Sequence, residues 1–337
     1  MNKFTLPKDG GLIETDLPIG IKHTYERIPA HIFDDEIAAS ERLADRIVEQ
    51  INSKEGVLRL GLTTGSSPVA LYKALVNHYK SGKVSFKDVE VYSIDEYYPA
   101  PAEHYSRNRR LYEDFVAHVD VKIENIHIPK LTEVHDSAFV ADFCAKYDEK
   151  ARNLDILVMG TGEKGQIGFN EPGSYAKSIT RMVQLSYQSR KAQAGLFYGV
   201  EHTPKMAITM GISTVMSARH IILMAWGEDK ADVVGKVVEG EATRLIPASL
   251  LQNHPSIEAV VDDPAADMLT VKKSPWLVGP CEWTPRMVRK AVVWLCETVK
   301  KPILKLTYQD YIENSLGEML EAVQKSYHAI NIEVFND

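Results

Sequence analysis

The feature that most constrains the fold of this chain is an alternation of short apolar segments with helical patterns. Apolar segments of strand length occur at 57–62, 89–94, 154–159, 206–210, 220–226 and 257–261. Helical patterns lie between or beside them at 34–52, 136–152, 228–239 and 286–300. Alternation of this kind is typical of strands that run parallel and are joined by helical crossovers. It predicts an α/β fold with a mostly parallel, doubly wound (Rossmann-like) sheet and helices on both faces.

Pro and Gly residues that interrupt regular structure divide the 337 residues into three predicted parts. Residues 1–30 contain enough of both to read as an irregular N-terminal arm. Residues 31–270 form the α/β domain, and residues 271–337 form a C-terminal extension packed on that domain. The extension opens with an aromatic and Pro-rich stretch, 275–283, before a helix with an apolar side formed by Val288, Val292 and Leu295. Its Trp residues are also candidates to cover a site or an oligomer contact.

Charge and cysteine usage narrow the function classes. A net charge of −7 argues against nucleic acid or an anionic membrane as the main partner, and no apolar run reaches membrane-spanning length. Three distant cysteines without a CxxC pair favour reduced thiols, and hence a cytoplasmic protein: Cys144, Cys281 and Cys296. No metal site is predicted, because four histidines lack any metal-binding spacing: His104, His118, His127 and His135.

Three loops, 63–68, 95–99 and 160–174, each follow an apolar strand pattern. In open parallel sheets, ligands bind beyond the carboxyl ends of the strands. We therefore expect these three loops to meet at one edge of the sheet.

The first loop, Thr64-Gly65-Ser66-Ser67-Pro68, combines hydroxyls with the start of a predicted helix. Unpaired N–H groups and the helix dipole at such a position favour an anion such as phosphate. The alternative is a plain helix start, with Ser67 as the N-cap and Pro68 as the first helical residue.

The second loop carries adjacent carboxylates, Asp95 and Glu96, at the end of an apolar strand. At the mouth of a site they would serve as a proton acceptor and its support. A solvated turn is the alternative.

The third loop is the most specific. Glycines 160, 162 and 165 allow tight turns and close approach of backbone to a ligand. The run continues through Phe169-Asn170-Glu171-Pro172, and the whole loop resembles the signature of the glucosamine-6-phosphate deaminase (isomerase) family. This chain resembles a divergent member, because Gln166 stands where the family has its catalytic His and Lys164 where many members have Asp.

The resemblance extends from about residue 40 to 270 and implies conversion of an aminosugar phosphate to a ketose phosphate and ammonia, without a cofactor. It implies that Asp95 is the base acting at C2 of the open-chain sugar and that Glu171 supports ring opening. An amide donates and accepts hydrogen bonds but does not titrate, so Gln166 cannot shuttle the proton for ring opening. The implied partner is a small sugar phosphate, and the implied assembly is a homo-oligomer.

The same resemblance assigns substrate and phosphate binding to the first loop, to two signature glycines and to one lysine: Thr64, Gly65, Ser66, Ser67, Gly160, Gly162 and Lys230. Gly195 stands where many relatives contribute an Arg to the phosphate, and Arg190 or Arg181 are candidates to compensate. Val183 and Gln184 replace residues that bind the allosteric effector N-acetylglucosamine 6-phosphate in some relatives.

Two other functions remain open at this level. The departures at Gln166, Lys164 and Gly195 suit a catalytically silent paralogue that binds a sugar phosphate as a sensor or partner subunit. A 6-phosphogluconolactonase shares the fold, but that family lacks Phe-Asn-Glu-Pro.

Overall fold

A computed structural model describes residues 25–102 and 105–336. Most of the predicted N-terminal arm, residues 1–24, lies outside the described residues, as does His104. The described chain forms ten strands: β1 Ala30–Phe33, β2 Leu58–Leu62, β3 Val89–Ser93, β4 Asp95–Tyr98, β5 Ile126–His127, β6 Ile156–Gly160, β7 Arg181–Gln184, β8 Met206–Thr209, β9 His220–Ala225 and β10 Ile257–Asp262. The predicted strands all occur within a few residues of their expected bounds.

Seven strands build the main sheet in the order β1-β10-β9-β6-β2-β3-β5, and all its pairings are parallel. The chain moves outward from β2 through β3 to β5, and outward from β6 through β9 to β10. The order therefore reverses between β2 and β6, which is the position where doubly wound sheets bind ligands.

Helices flank this sheet. They are α1 Glu36–Ser53, α2 Val69–Lys80, α3 Arg107–Asp114, α4 Ser137–Lys150, α5 Tyr187–Gln193, α6 Ile212–Val215 and α7 Ala231–Val238. Helix α1 starts where the Asp35 carboxylate accepts hydrogen bonds from the Ile37 and Ala38 N–H groups, and its predicted stripe buries Leu43 and Ile47. The stripe packs in a core with apolar residues of α2 and of the central strands. The predicted α/β fold class is confirmed.

A second, three-stranded sheet in the order β4-β8-β7 is antiparallel. Residues 95–99 were expected to form a loop, and this was wrong, because Asp95–Tyr98 pairs with β8 through backbone hydrogen bonds. Neighbouring side chains of β4 enter opposite clusters, Tyr97 with Phe169 and Phe197, and Tyr98 with Val140 and Ile208. Because a single residue separates the end of β3 from the start of β4, pairing with β8 holds Asp95 just beyond the end of a main-sheet strand.

The contacts divide the described chain into two compact units, with the boundary at residues 267 and 268. The C-terminal unit contains α8 Thr270–Lys273, α9 Pro285–Val299, α10 Tyr308–Glu313, α11 Gly317–Val323 and α12 Tyr327–Asn336. It has its own apolar core, where Trp276 packs with the buried side of α9, as the sequence predicted for that helix. The division at residue 270 and the packing of the extension on the α/β domain stay predictions.

Candidate active site

The loops after β2 and β6 meet at the point where strand order reverses. A Cβ atom at Gly160 would lie 2.9 Å from the Ser67 hydroxyl oxygen, so the two loops touch at a position that only glycine fits well. The indole Nε1 of Trp226, which follows β9, donates to the Ser67 carbonyl at 2.8 Å. Three strand ends are thus tied together at one edge of the sheet.

The hydroxyl-bearing loop does not cap its helix in the way the sequence suggested. Helix α2 begins at Val69, and Pro68 occupies the N-cap position without a side-chain capping bond. The prediction of Ser67 as N-cap was therefore wrong, and the Ser66 and Ser67 hydroxyls are not used for capping. Gly65 adopts φ +133°, a conformation that side chains rarely allow. Anion binding by this loop stays a prediction.

Asp95 is the central carboxylate of the site. Its side chain is 1% exposed, and its Oδ1 forms an ion pair with Nη1 of Arg107 at 3.2 Å. Within the described residues, neither carboxylate oxygen accepts a well-aligned hydrogen bond. The pKa of Asp95 is raised to about 6, mainly by burial, with Arg107 opposing the rise and Glu96 adding to it. Such a carboxylate is ionised at neutral pH and close enough to its pKa to take and return a proton.

The neighbouring carboxylate, Glu96, is bonded to the start of helix α3. It is fully buried, and its carboxylate accepts hydrogen bonds from the Ser106 hydroxyl at 2.7 Å and from the N–H groups of Arg107 and Asn108 at 3.1 and 2.8 Å. A carboxylate at a helix N-terminus stabilises that helix. Glu96 thereby holds the start of α3, and with it Arg107, beside Asp95.

The signature loop reaches Asp95 through Gly168. A Cβ atom there would lie 3.0 Å from Asp95 Oδ2 and 2.8 Å from the Thr209 hydroxyl oxygen, and the residue has φ +55°. The next residue, Phe169, donates its N–H to the Thr209 hydroxyl at 3.1 Å. The buried Asn170 amide then donates to the Met210 carbonyl at 2.7 Å. These bonds lock the loop against β8 and next to the carboxylate.

Gln166 folds back on its own loop. Its Oε1 accepts the Lys164 N–H at 3.0 Å, and its amide fills the space where a Cβ of Gly162 would lie. The exposed Lys164 side chain contacts Gln188. The Gln166 side chain therefore stabilises the turn of this loop.

The remaining predicted residues lie around this centre. Glu171 is partly exposed, and its carboxylate accepts the Ser186 N–H at 3.2 and 3.3 Å. Lys230 follows β9, is 18% exposed and pairs with Asp229 at 3.4 Å. Neither interaction involves Asp95 or the first loop.

The sequence interpretation missed Arg107. Its Nη1 donates to the Thr64 hydroxyl at 3.0 Å, and its guanidinium lies 4.4 Å from the centre of the Phe169 ring. Of the two arginines proposed to compensate for Gly195, Arg181 donates to Asn170 and Arg190 to the Val200 carbonyl. The Tyr105-Ser106-Arg107-Asn108 segment offered one weak signal, a basic residue shortly after the Asp95-Glu96 pair.

Within residues 25–102 and 105–336, no group of three or more His, Cys, Asp or Glu side chains is placed to hold a metal ion. Over the same residues, no helix is long and apolar enough to cross a membrane.

Taken together, the parallel sheet, the hydroxyl-bearing loop and the buried carboxylate at the reversal of strand order define an α/β protein with a candidate small-molecule site. A family model described as glucosamine-6-phosphate isomerases/6-phosphogluconolactonase matches residues 34–260. The chain belongs to this family, as its signature loop predicted.

Two individual relatives support this family membership. The chain is 39% identical over 229 residues to glucosamine-6-phosphate deaminase 2 of Bacillus subtilis, covering 66% of this chain and 90% of the relative. It is also 39% identical over 319 residues to a glucosamine-6-phosphate deaminase-like protein of Bacteroides thetaiotaomicron. That match covers 93% of this chain but 48% of the relative, so the chain spans about half of that protein's length.

Solved structures extend the comparison to the fold. A monomeric glucosamine-6-phosphate deaminase matches with a TM-score of 0.67 and 30% identity, covering 72% of this chain and all of that structure. The 6-phosphogluconolactonase of Trypanosoma cruzi matches with a TM-score of 0.59 at 18% identity, covering 74% of this chain and 99% of that structure. The second match concerns the fold alone. A homo-oligomer stays a prediction for this chain.

Proposed function

We propose that this chain is a glucosamine-6-phosphate deaminase-like enzyme that converts glucosamine 6-phosphate and water to fructose 6-phosphate and ammonia. One observation carries the proposal: the buried Asp95, with a pKa raised to about 6, adjoins the signature loop at Gly168 and is linked through Arg107 to Thr64 of the hydroxyl-bearing loop. This is the arrangement that proton transfer on a sugar held by its phosphate requires.

Asp95 would move the proton. In the open-chain aminosugar it would take the proton from C2 and deliver it to C1. One amine proton passes to the C1 oxygen, so that C1 becomes a hydroxymethyl group and the C2 amine an imine, which water hydrolyses to the ketone and ammonia. Burial keeps the carboxylate poorly solvated, which raises its affinity for the proton. No cofactor is needed, because the nitrogen already sits on the carbon that becomes the carbonyl.

The phosphate would sit on the first loop. Thr64, Ser66 and Ser67 offer hydroxyls, Gly65 offers an accessible backbone, and Lys230 would add a positive charge. Gly160 and Gly162 would let the sugar approach the backbone beyond β6.

Ring opening is expected to be slow. Gln166 cannot exchange a proton, and its Oε1 is engaged by the Lys164 N–H. Glu171 would support ring opening alone, and the loss of one acid–base group typically slows a step by about 10²- to 10⁴-fold.

Ammonia release from glucosamine 6-phosphate tests the proposal, with the native protein compared with Asp95→Asn and Gln166→His. We expect turnover by the native protein, its loss in Asp95→Asn and faster turnover in Gln166→His. A folded native protein that turns over no aminosugar phosphate would contradict the proposal.

A second candidate is a sugar-phosphate-binding protein without turnover, acting as a sensor or partner subunit. The engaged Gln166 amide favours it. Thermal stabilisation by glucosamine 6-phosphate in the absence of ammonia release would support this candidate.

A further inference from the structure

Arg107 joins three parts of the site that come from distant segments. It is the first residue of α3, and its Nη1 lies 3.0 Å from the Thr64 hydroxyl oxygen and 3.2 Å from Asp95 Oδ1. The guanidinium stacks over Phe169 of the signature loop. One cation therefore touches the hydroxyl-bearing loop, the buried carboxylate and the signature loop.

The local bonding of this cluster is incomplete. Arg107 Nε is buried and has no hydrogen-bond partner within the described residues, and the same holds for both oxygens of Asp95. Buried polar groups in native proteins are nearly always paired, so each exception calls for an explanation such as a catalytic role or a bound water or ion. A bound ligand could therefore complete the hydrogen bonding of this cluster.

The partner that the buried Nε of Arg107 lacks is best matched by an anion. A guanidinium presents N–H donors in a planar fork that fits phosphate oxygens, and it keeps its charge at any accessible pH. Thr64, whose hydroxyl accepts from Arg107, lies in the loop after β2 at the edge of the sheet where strand order reverses, and Ser66 and Ser67 follow it in the same loop.

We propose that Arg107 binds the phosphate of a sugar phosphate seated on residues 64–67, and that it exchanges its ion pair with Asp95 for this phosphate. The inference rests on the proposed function and deepens it. Arg107 supplies the arginine that Gly195 lacks, from a different segment of the chain.

The exchange links binding to proton transfer. While Arg107 faces Asp95, its positive charge favours the ionised carboxylate and weakens it as a base. Movement toward the phosphate removes that charge, so the carboxylate binds a proton more strongly once substrate is in place. A substrate without a phosphate would leave the ion pair intact.

The test is calorimetric binding of inorganic phosphate and of glucosamine 6-phosphate, with the native protein, Arg107→Gln, Arg107→Lys and Arg110→Gln. Arg110 lies on the same helix, is 44% exposed and pairs with Asp114, so its variant makes the same charge change away from the site. We expect Kd for both ligands to rise about 10- to 100-fold in Arg107→Gln, as for loss of a charged hydrogen bond. Arg107→Lys should recover part of the loss, and Arg110→Gln should bind like the native protein.

Equal binding by the native protein and Arg107→Gln would overturn the inference, as would a native protein that binds neither ligand. A thermal midpoint of unliganded Arg107→Gln close to that of Arg110→Gln shows that the fold survives. Arg107-dependent binding without ammonia release would leave the inference standing and remove the proposed enzyme activity. If Arg107→Gln released ammonia with an unchanged KM, the proposed enzyme activity would stand and the inference about Arg107 would be overturned.

Discussion

Two buried carboxylates lie at opposite ends of the main-sheet strands, and the structure surrounds them with very different numbers of bonding partners. Asp95, beyond the carboxyl end of β3, has one ion pair and no well-aligned hydrogen bond within the described residues. Glu258, near the start of β10, accepts two hydrogen bonds from Arg46 at 3.0 and 2.6 Å and contacts His220 at 2.8 Å and His31 at 3.0 Å.

The difference teaches that burial alone does not decide the state of an acid. Burial raises the pKa of both groups, but at Glu258 the bonds from His220, His31 and Arg46 outweigh it and hold the pKa well below its usual range. At Asp95 the single Arg107 contact does not, and the pKa rises to about 6. The arrangement around Glu258 favours stability, whereas the arrangement around Asp95 leaves a carboxylate free to react.

The largest expected effect is on activity at Asp95. Asp95→Asn keeps the shape and removes the base, so we expect kcat to fall at least about 10²- to 10⁴-fold. The unfolding free energy should change little, because relief of a buried charge offsets the unpaired Arg107. Ammonia release and denaturant unfolding on the same preparation measure both, and a large loss of stability would break the contrast with Glu258.

Glu258→Gln should show the converse. Removal of the charge leaves Arg46 without its partner, and breaking a buried ion pair typically lowers the unfolding free energy by about 3–5 kcal/mol. The kcat of the folded protein should stay within about twofold, since Glu258 lies at the far end of the strands. Unchanged stability would show that the cluster does not support the fold.

The pH dependence separates the two groups within one protein. Asp95 must be ionised to act, so kcat/KM should fall about tenfold per pH unit below about 6. Protonation there does not destabilise the fold, because the folded state holds this proton more tightly than the unfolded chain. The Glu258 contribution, with a lowered pKa, is present at neutral pH and lost only as pH falls through its folded value. Activity should therefore decline at pH 5 while thermal stability at that pH is retained.

The smallest effect is expected at Gly168. Gly168→Ala places a Cβ within 3.0 Å of Asp95 and at positive φ, which should lower the unfolding free energy by about 1–2 kcal/mol. Gly173→Ala is a matched control, because it has φ +94° but open space for the Cβ. A shifted acidic limb of kcat/KM in Gly168→Ala alone would link the loop to Asp95, and identical behaviour of the two variants would argue against this link.

Local pattern predicted much of this fold. Helix α1 shows its apolar stripe in the sequence, and the buried strands β9 and β10 read as continuous apolar runs. Asp95–Tyr98 was misread as a loop because its strand character comes from pairing with β8, more than a hundred residues away. Ser67 was misread as a cap because the local rule ignores its packing against Gly160. Both errors lie at contacts that join distant segments.

By itself, the sequence determined the α/β class, the family and the positions of the loops at 63–68 and 160–174, because periodicity and the signature run are local properties. Only the tertiary structure decided that Arg107 bridges Thr64 and Asp95, and that Asp95 has a single ion pair while Glu258 is bonded to Arg46, His31 and His220. Desolvation and ion pairing depend on which groups surround a carboxylate in space, and residues from four separate segments make each of these two environments.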